Sequence, residues 1–185
     1  FTALPLDHLL YTGSGAVARK VVANAATNLV PTTLELGGKS PTIISADADL
    51  KLAAKRIMFV KTLNAGQICL SPDYIMIKKG LEEKLVSELQ QVFKSFYPES
   101  NTKDYTSMVN DHHHQRMHEY LQDAKEKGAK IHNLGEFDSN ENNIMTTKVL
   151  LNVNDNMRVM QEEIFGPLLP VMVYEELSEV VDYIN

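Results

Sequence analysis

The stretch LNAGQICLSPDYIMIK, residues 63–78, contains the only cysteine of the chain, Cys69. A helical pattern from Leu50 to Leu63 precedes it, and a strand-like apolar run from Tyr74 to Ile77 follows it. Gly66 favours a tight turn between the helix and the strand. A thiol on such a turn can face a substrate, whereas a free cysteine is also often buried as a small apolar residue. On this stretch alone, both interpretations stay open.

Helices and strands alternate along the rest of the chain. Residues 17–28 are predicted as a small-residue helix, residues 81–96 carry apolar side chains at helical spacing, and another helix stops near Gly128. Residues 135–143 are polar and predict a mobile surface loop. Further strands are predicted at Leu9–Thr12, Thr32–Leu36, Thr42–Ser45, Lys130–His132, Lys148–Val153 and Leu168–Tyr174. This alternation predicts an α/β fold with a mainly parallel sheet covered by helices.

Two other runs place acidic residues at the ends of strands. Glu35 lies between two leucines in TLELGGKSP, residues 33–41, where burial would disfavour its ionised form and suit it to act as a general base. The alternative is a glutamate on an edge strand that faces water. The run QEEIFGP, residues 161–167, pairs acidic residues with an aromatic before a Gly-Pro stop. Its alternative is an ordinary loop.

Taken together, these runs resemble the aldehyde dehydrogenase family. LELGGKSP at residues 34–41 is similar to the family's signature around the catalytic glutamate, and NAGQIC at 64–69 to its nucleophile loop. EEIFGP at 162–167 is similar to its third motif, and YTGS at 11–14 to the turn that meets the cofactor's pyrophosphate. Order and spacing agree, so the resemblance covers essentially the whole chain. It implies a fold of the aldehyde dehydrogenase catalytic-domain type.

The resemblance also implies a mechanism. Cys69 as thiolate would attack the aldehyde to give a thiohemiacetal, which loses hydride to NAD or NADP and leaves a thioester. Water activated by Glu35 would then release the carboxylic acid. The backbone N–H of Cys69 is the oxyanion donor expected within this chain.

Cofactor contacts are implied in the same way. Glu163 would bind the nicotinamide ribose hydroxyls, and Phe165 would pack against the nicotinamide side. Gly13 would allow close approach to the pyrophosphate, and Ser14 would begin a helix whose N–H groups favour phosphate. Where the family's turn carries a second glycine this chain has Ala18, for which we expect a small adjustment of helix packing. The expected cofactor-binding residues are Gly13, Ser14, Leu36, Gly37, Glu163 and Phe165.

The resemblance predicts how the chain divides. Residues 1–38 would be the C-terminal part of an NAD(P)-binding Rossmann-like domain, and residues 39–185 a catalytic domain incomplete at its C-terminus. We therefore expect a piece of a longer enzyme, a homodimer or homotetramer when intact, and weak or no dehydrogenase activity in the isolated chain. Residues 3–10 and 71–74 resemble the class-3-like branch, which includes coniferyl aldehyde dehydrogenases. A hydrophobic or aromatic aldehyde such as coniferaldehyde is the expected substrate.

The amino-acid composition bears on binding partners, on cellular compartment and on membrane insertion. The net charge of −6 argues against nucleic acid, whose phosphates need a basic surface. A single cysteine cannot form an intramolecular disulfide and fits a reducing, cytoplasmic compartment. No apolar run has membrane-spanning length.

Several polar residues have competing interpretations. His114 and His118 share a helix face at metal-ligand spacing, but adjacent histidines diverge on a helix, so we expect a solvated helix start and no metal. Lys39 is expected to be a surface lysine, although contact with substrate or cofactor is the alternative. Arg158 is expected to make an ordinary ion pair.

Two alternatives to a dehydrogenase remain. Cys69 with Glu35 would be sufficient for cofactor-independent thiol esterase chemistry through the same acyl intermediate. An excised domain would also expose apolar interface, which promotes association without catalysis.

Overall fold

Two units make up the chain, Phe1–Gly38 and Lys39–Asn185. The computed structural model describes residues 1–98 and 103–185. Each unit has its own apolar core. Within the described residues, no helix combines the length and the apolar composition needed to span a membrane.

The first unit is a single β-α-β motif. Strands β1 (Leu9–Gly13) and β2 (Thr32–Leu36) pair in parallel, and helix α1 (Gly15–Ala26) makes the crossover between them. Buried Leu9 and Val21 belong to a small core between the helix and the strands. A parallel pair requires such a crossover, which is why a helix must separate the two strands in sequence.

The second unit is an α/β sheet with helices. Its strands run in the order β3-β4-β7-β6-β5, and every neighbouring pair is parallel except β5 with β6. This order confirms the predicted mainly parallel sheet. Its elements are β3 (Pro41–Ile44), α2 (Leu50–Thr62), β4 (Tyr74–Lys78), α3 (Glu82–Phe96), α4 (Asp111–Glu126), β5 (Lys130–Asn133), β6 (Lys148–Leu151), α5 (Arg158–Gln161), β7 (Leu168–Tyr174) and α6 (Leu177–Ile184).

Strand β4 shows that the sheet is covered on both faces. Ile75 and Ile77 belong to the core that includes α2 and α3, whereas Tyr74 and Met76 belong to the core that includes α4. Alternate side chains of a strand point to opposite faces, so a run that is apolar at every position must be buried on both. Strand β4, and with it the segment just before it, is therefore held at the centre of the unit.

The predicted helical stripe of α3 lies in the core. Leu85 and Leu89 are fully buried, while Leu81, Val92 and Phe96 are only partly buried against the same cluster. Two glutamates lie in the first turn of the helix, where the N-terminal dipole favours negative charge.

Strand β6 ends earlier than the sequence predicts. The expected strand reached Val153, but β6 stops at Leu151 because Asn152 has a φ of 57°. A left-handed residue turns the chain out of the extended conformation, and asparagine tolerates this conformation better than most residues.

The polar loop predicted at residues 135–143 is anchored by Asp138. Its carboxylate accepts hydrogen bonds from the Thr146 N–H (2.7 Å) and from the Lys148 ammonium (2.7 Å). Burial alone would raise the pKa of Asp138, but these hydrogen bonds outweigh it and hold the pKa below its usual range.

Candidate active site

Cys69 is exposed on the turn between α2 and β4. Helix α2 ends at Thr62, and residues 63–66 form a tight turn. Asn64, Ala65 and Gly66 have φ values of 52°, 53° and 74°, three successive residues in the left-handed region. Such a conformation costs a non-glycine residue about 1–2 kcal/mol and persists only where surrounding contacts enforce it. The prediction of an exposed thiol is confirmed, and the buried structural cysteine is wrong.

Hydrogen bonds from the Gln67 side chain help to hold this turn in its left-handed conformation. Its buried side-chain amide donates to the carbonyl oxygens of Asn64 (3.0 Å) and Ser107 (3.1 Å). Its carbonyl oxygen accepts the N–H of Val109 (2.9 Å). Both amide protons and the oxygen are thus used, which ties the thiol turn to residues 107–109.

Gly66 brings the thiol turn against the run at residues 161–167. A Cβ on Gly66 would overlap the carbonyl oxygen of Gly166 and lie 2.9 Å from the carbonyl carbon. A Cβ on Gly166 would in turn overlap the sulfur of Met117 on α4. The thiol turn and the run at residues 161–167 therefore pack directly on each other, and Met117 of α4 packs against the second of them.

Arg116 and Tyr120 on α4 hold the run at 161–167 in place. Arg116 donates to the carbonyl oxygens of Glu163 (3.1 Å) and Ile164 (2.8 Å). The Tyr120 hydroxyl donates to the carboxylate of Glu162 (2.8 Å). Sequence reasoning missed both residues. Their spacing of four on a helix was the available signal, since it places two polar groups on one helix face.

The side chains expected to contact a cofactor from this run are half-buried. Glu163 and Phe165 flank buried Ile164, and Phe165 has a φ of 46°. A left-handed aromatic residue is uncommon and marks a backbone that its surroundings hold in place. The run is therefore a turn that its contacts hold in place.

Asp73 joins three segments of the second unit. One oxygen of this buried carboxylate accepts the N–H of Ile164 (2.9 Å), and the other pairs with the Lys39 ammonium. Lys39 also donates to the carbonyl oxygens of Val159 (2.7 Å) and Glu162 (3.1 Å). The expectation of a surface lysine is wrong, because these three acceptors draw the ammonium into the structure.

Lys61 is a second lysine of this cluster. Its side chain is buried, and its ammonium donates to the carbonyl oxygen of Pro72 (2.9 Å). Burial lowers its pKa to about 8, although the charge of Asp73 opposes the shift and that of Lys39 adds to it. The buried carboxylate of Asp73 therefore attracts two lysines, Lys39 by direct contact and Lys61 through its charge.

The predicted site residues of the first unit lie on its surface. Glu35, Leu36 and Gly37 are exposed, and Glu35 pairs in register with Thr12 across the two strands. The expected burial of Glu35 between leucines is wrong for this unit, because its two-stranded sheet leaves that end of β2 uncovered.

The turn before α1 has the features of a phosphate-binding helix start. The hydroxyl of exposed Ser14 caps α1 by accepting the N–H of Val17 (3.4 Å), and the first turn carries no acidic side chain. A Cβ on Gly13 would overlap the hydroxyl of Tyr11, so the Tyr11 ring would have to shift for any larger residue here. Ala18 is buried in α1.

The histidine cluster differs from the expected solvated helix start. His114 is buried, and its ring meets that of His118 edge-on with centroids 4.7 Å apart. Burial lowers the pKa of His118, and the neighbouring His114 adds to the effect. In residues 1–98 and 103–185, no group of three or more histidine, cysteine or acidic residues is placed to hold a metal.

The ion pair expected for Arg158 is confirmed. Its guanidinium lies 3.4 Å from the Glu119 carboxylate and 3.9 Å from that of Glu162. It also lies over the Tyr120 ring, 5.1 Å from the centroid. The run at 161–167 thus receives a further contact from the start of α5.

Several aldehyde dehydrogenases are similar to this chain in sequence and in fold. A coniferyl aldehyde dehydrogenase of Pseudomonas sp. is 45% identical over 193 residues, which cover 100% of this chain and 40% of the relative. The substrate-bound AldH of Staphylococcus aureus matches with a TM-score of 0.90 and 36% identity, over 99% of this chain and 40% of that one. Betaine aldehyde dehydrogenase of Staphylococcus aureus in complex with NAD+ matches with a TM-score of 0.84 and 28% identity, over 96% and 37%.

The chain thus spans about two fifths of the length of these proteins. The model of the aldehyde dehydrogenase family matches residues 4–185, nearly the whole sequence. With its exposed thiol turn packed on the EEIFGP run, this chain belongs to the aldehyde dehydrogenase family.

Proposed function

We propose that the chain carries the catalytic cysteine of an NAD(P)-dependent enzyme that oxidises a hydrophobic or aromatic aldehyde, such as coniferaldehyde, to the carboxylic acid. The observation that carries the proposal is the exposure of Cys69 on a turn that buried contacts lock against the run bearing Glu163 and Phe165. The 45% identity to a coniferyl aldehyde dehydrogenase supports the choice of aldehyde.

In the proposed reaction the Cys69 thiolate attacks the carbonyl carbon, and the backbone N–H of Cys69 donates to the resulting oxyanion. When bound, NAD or NADP supplies the hydride acceptor. Loss of hydride from the thiohemiacetal leaves a thioester on Cys69. Glu35 takes a proton from water, the hydroxide attacks the thioester carbonyl, and Cys69 leaves as thiolate with release of the acid.

The residues present fit parts of a dinucleotide in each unit. In the first unit, Ser14 and the exposed start of α1 suit a phosphate. Gly13 precedes Ser14, Leu36 pairs with Gly13 across β1 and β2, and Gly37 follows Leu36. In the second unit, Glu163 would accept hydrogen bonds from ribose hydroxyls and Phe165 would offer an apolar face. The NAD+ complex of the betaine aldehyde dehydrogenase supports NAD as cofactor.

We further propose that residues 1–38 are the C-terminal part of an NAD(P)-binding domain and residues 39–185 most of a catalytic domain. The division between the two units at Gly38 is consistent with this assignment. The intact enzyme would be a homodimer or homotetramer. The isolated chain is expected to produce little or no NAD(P)H.

A chimera tests the proposal. Residues 1–185 replace the matching segment of the Pseudomonas sp. coniferyl aldehyde dehydrogenase, and NAD(P)H formation from coniferaldehyde is followed by absorbance. The chimera should be active, Cys69→Ser should abolish the signal, and Glu35→Gln should give one turnover with a thioester detectable on the Cys69 peptide. A folded chimera that forms no NAD(P)H would refute the proposed function.

The two alternatives have their own measurements on the isolated chain. Release of nitrophenol from p-nitrophenyl acetate, lost in Cys69→Ser, would indicate the cofactor-independent esterase. Exposed Leu10 and Leu29 on the first unit would favour association, which sedimentation velocity would detect without any chemistry.

A further inference from the structure

Asp73 is a buried carboxylate that the proposed reaction does not use. It lies four residues after Cys69, yet its two oxygens contact Lys39 and the N–H of Ile164, which are remote in sequence. Asp73 therefore links the segment that follows the thiol turn to the EEIFGP run.

Both contacts converge on the backbone around Glu163. Asp73 binds the N–H of Ile164 directly, and through Lys39 it reaches the carbonyl oxygen of Glu162. The peptide groups on either side of Glu163 are thus anchored to one carboxylate. Arg116 holds the carbonyl oxygens of Glu163 and Ile164 from the side of α4.

Only a carboxylate satisfies both neighbours. An ionised carboxylate accepts at both oxygens, and here each oxygen faces a donor. Asparagine has one acceptor oxygen and one NH₂ group, so in either orientation its NH₂ would face a second donor, either Lys39 or the Ile164 N–H. The charge of Asp73 also offsets that of buried Lys61, a task that asparagine would not perform.

We propose that Asp73 is a positioning residue that holds the Glu162–Phe165 run against the thiol turn and thereby sets Glu163 and Phe165 for cofactor binding. This inference rests on the proposed function. Asp73 acts through those two side chains and touches neither substrate nor cofactor itself.

The chain offers a matched control in Asp138. It accepts the N–H and the hydroxyl of Thr146 and the ammonium of Lys148, but it is exposed and anchors the loop at residues 135–143. Asp73→Asn and Asp138→Asn therefore each remove a carboxylate that accepts a backbone N–H and a lysine, the first buried and the second exposed. A purely structural role of Asp73 would lower stability without a selective change in KM for NAD+.

The experiment has two arms. In the 185-residue chain, hydrogen exchange of the Ile164 amide is measured by NMR together with thermal unfolding. In the chimera, KM for NAD+, KM for coniferaldehyde and kcat are measured. The variants are Asp73→Asn, Asp138→Asn and the double variant Asp73→Asn/Lys39→Met, in which the amide oxygen is free to accept the Ile164 N–H because no ammonium competes for it.

Asp73→Asn should raise exchange at Ile164 and KM for NAD+ by roughly tenfold each, with KM for coniferaldehyde unchanged within about twofold. The double variant should recover exchange at Ile164 to within about threefold, while KM for NAD+ stays raised because Glu162 loses its contact with Lys39. Asp138→Asn should change neither quantity. Loss of thermal stability in Asp73→Asn with KM for NAD+ unchanged would overturn the inference. If the unsubstituted chimera is inactive, the proposed function fails, and unchanged exchange at Ile164 in Asp73→Asn would still refute the anchoring role.

Discussion

Gly66 lies so close to the backbone of Gly166 that a Cβ on Gly66 would overlap the carbonyl oxygen of Gly166. This approach joins the thiol turn to the EEIFGP run without any side chain between them. Since a backbone carbonyl cannot move aside as a flexible side chain does, Gly66 is the least replaceable residue of the turn.

Replacing Gly66 with alanine should lower the free energy of unfolding by about 3 kcal/mol or more, because overlap with backbone adds to the strain of a left-handed alanine. Urea unfolding of the chain measures the change. Gly80→Ala is the control, since Gly80 has a φ of 91° but no atom within 4 Å of the added Cβ. It should lose only about 1 kcal/mol. Equal losses in the two variants would show that the contact with Gly166 is unimportant.

Lys61 should make stability rise with pH above neutrality. Its pKa of about 8 in the folded chain lies below the ordinary lysine value of 10.5, so between these values the unfolded chain binds more protons than the folded one. Stability therefore increases as pH rises, by about 2 kcal/mol between pH 8 and pH 10.

Lys61→Met should lack this rise, and the difference between the two proteins across pH is the quantity to measure by urea unfolding. Burial raises the pKa of Tyr105, which lowers stability above pH 10 in both proteins and cancels in the difference. A constant difference from pH 7 to pH 10 would mean that Lys61 stays protonated in the folded chain.

Arg116→Met should destabilise the chain by about 2–3 kcal/mol, because it leaves the carbonyl oxygens of Glu163 and Ile164 without their donor. Arg158→Met is the matched control. Its ion pairs are partly exposed and should contribute less than about 1 kcal/mol. Thermal unfolding of both variants decides whether α4 holds the run, and similar melting temperatures would contradict the assignment.

Iodoacetamide should alkylate Cys69 in the folded chain, because the thiol is exposed and is the only one present. The rate should lie within about tenfold of that in urea, the spread that access to an exposed thiol allows. Mass spectrometry of the intact chain follows the reaction, and Cys69→Ser is the blank. Labelling only after unfolding would show that the turn hides the thiol.

The local sequence pattern was sufficient to predict most of the strands and helices. Strands β2 and β7 have the bounds that the sequence predicts, and each begins directly after a proline, Pro31 or Pro167. The end of β6 was wrong by two residues, since the left-handed Asn152 gives no signal in apolar periodicity.

The sequence by itself determined the alternation of strands and helices, the turn that carries Cys69 and the family to which the chain belongs. These depend on neighbours in the chain, through periodicity, turn residues and short motifs. Only the tertiary structure decided that Lys39 is an anchor and not a surface lysine, that Arg116 and Tyr120 support the EEIFGP run, and that Glu35 is exposed. Burial and hydrogen-bond pairing depend on which distant segments meet across the sheet, and nothing local to these residues records that meeting.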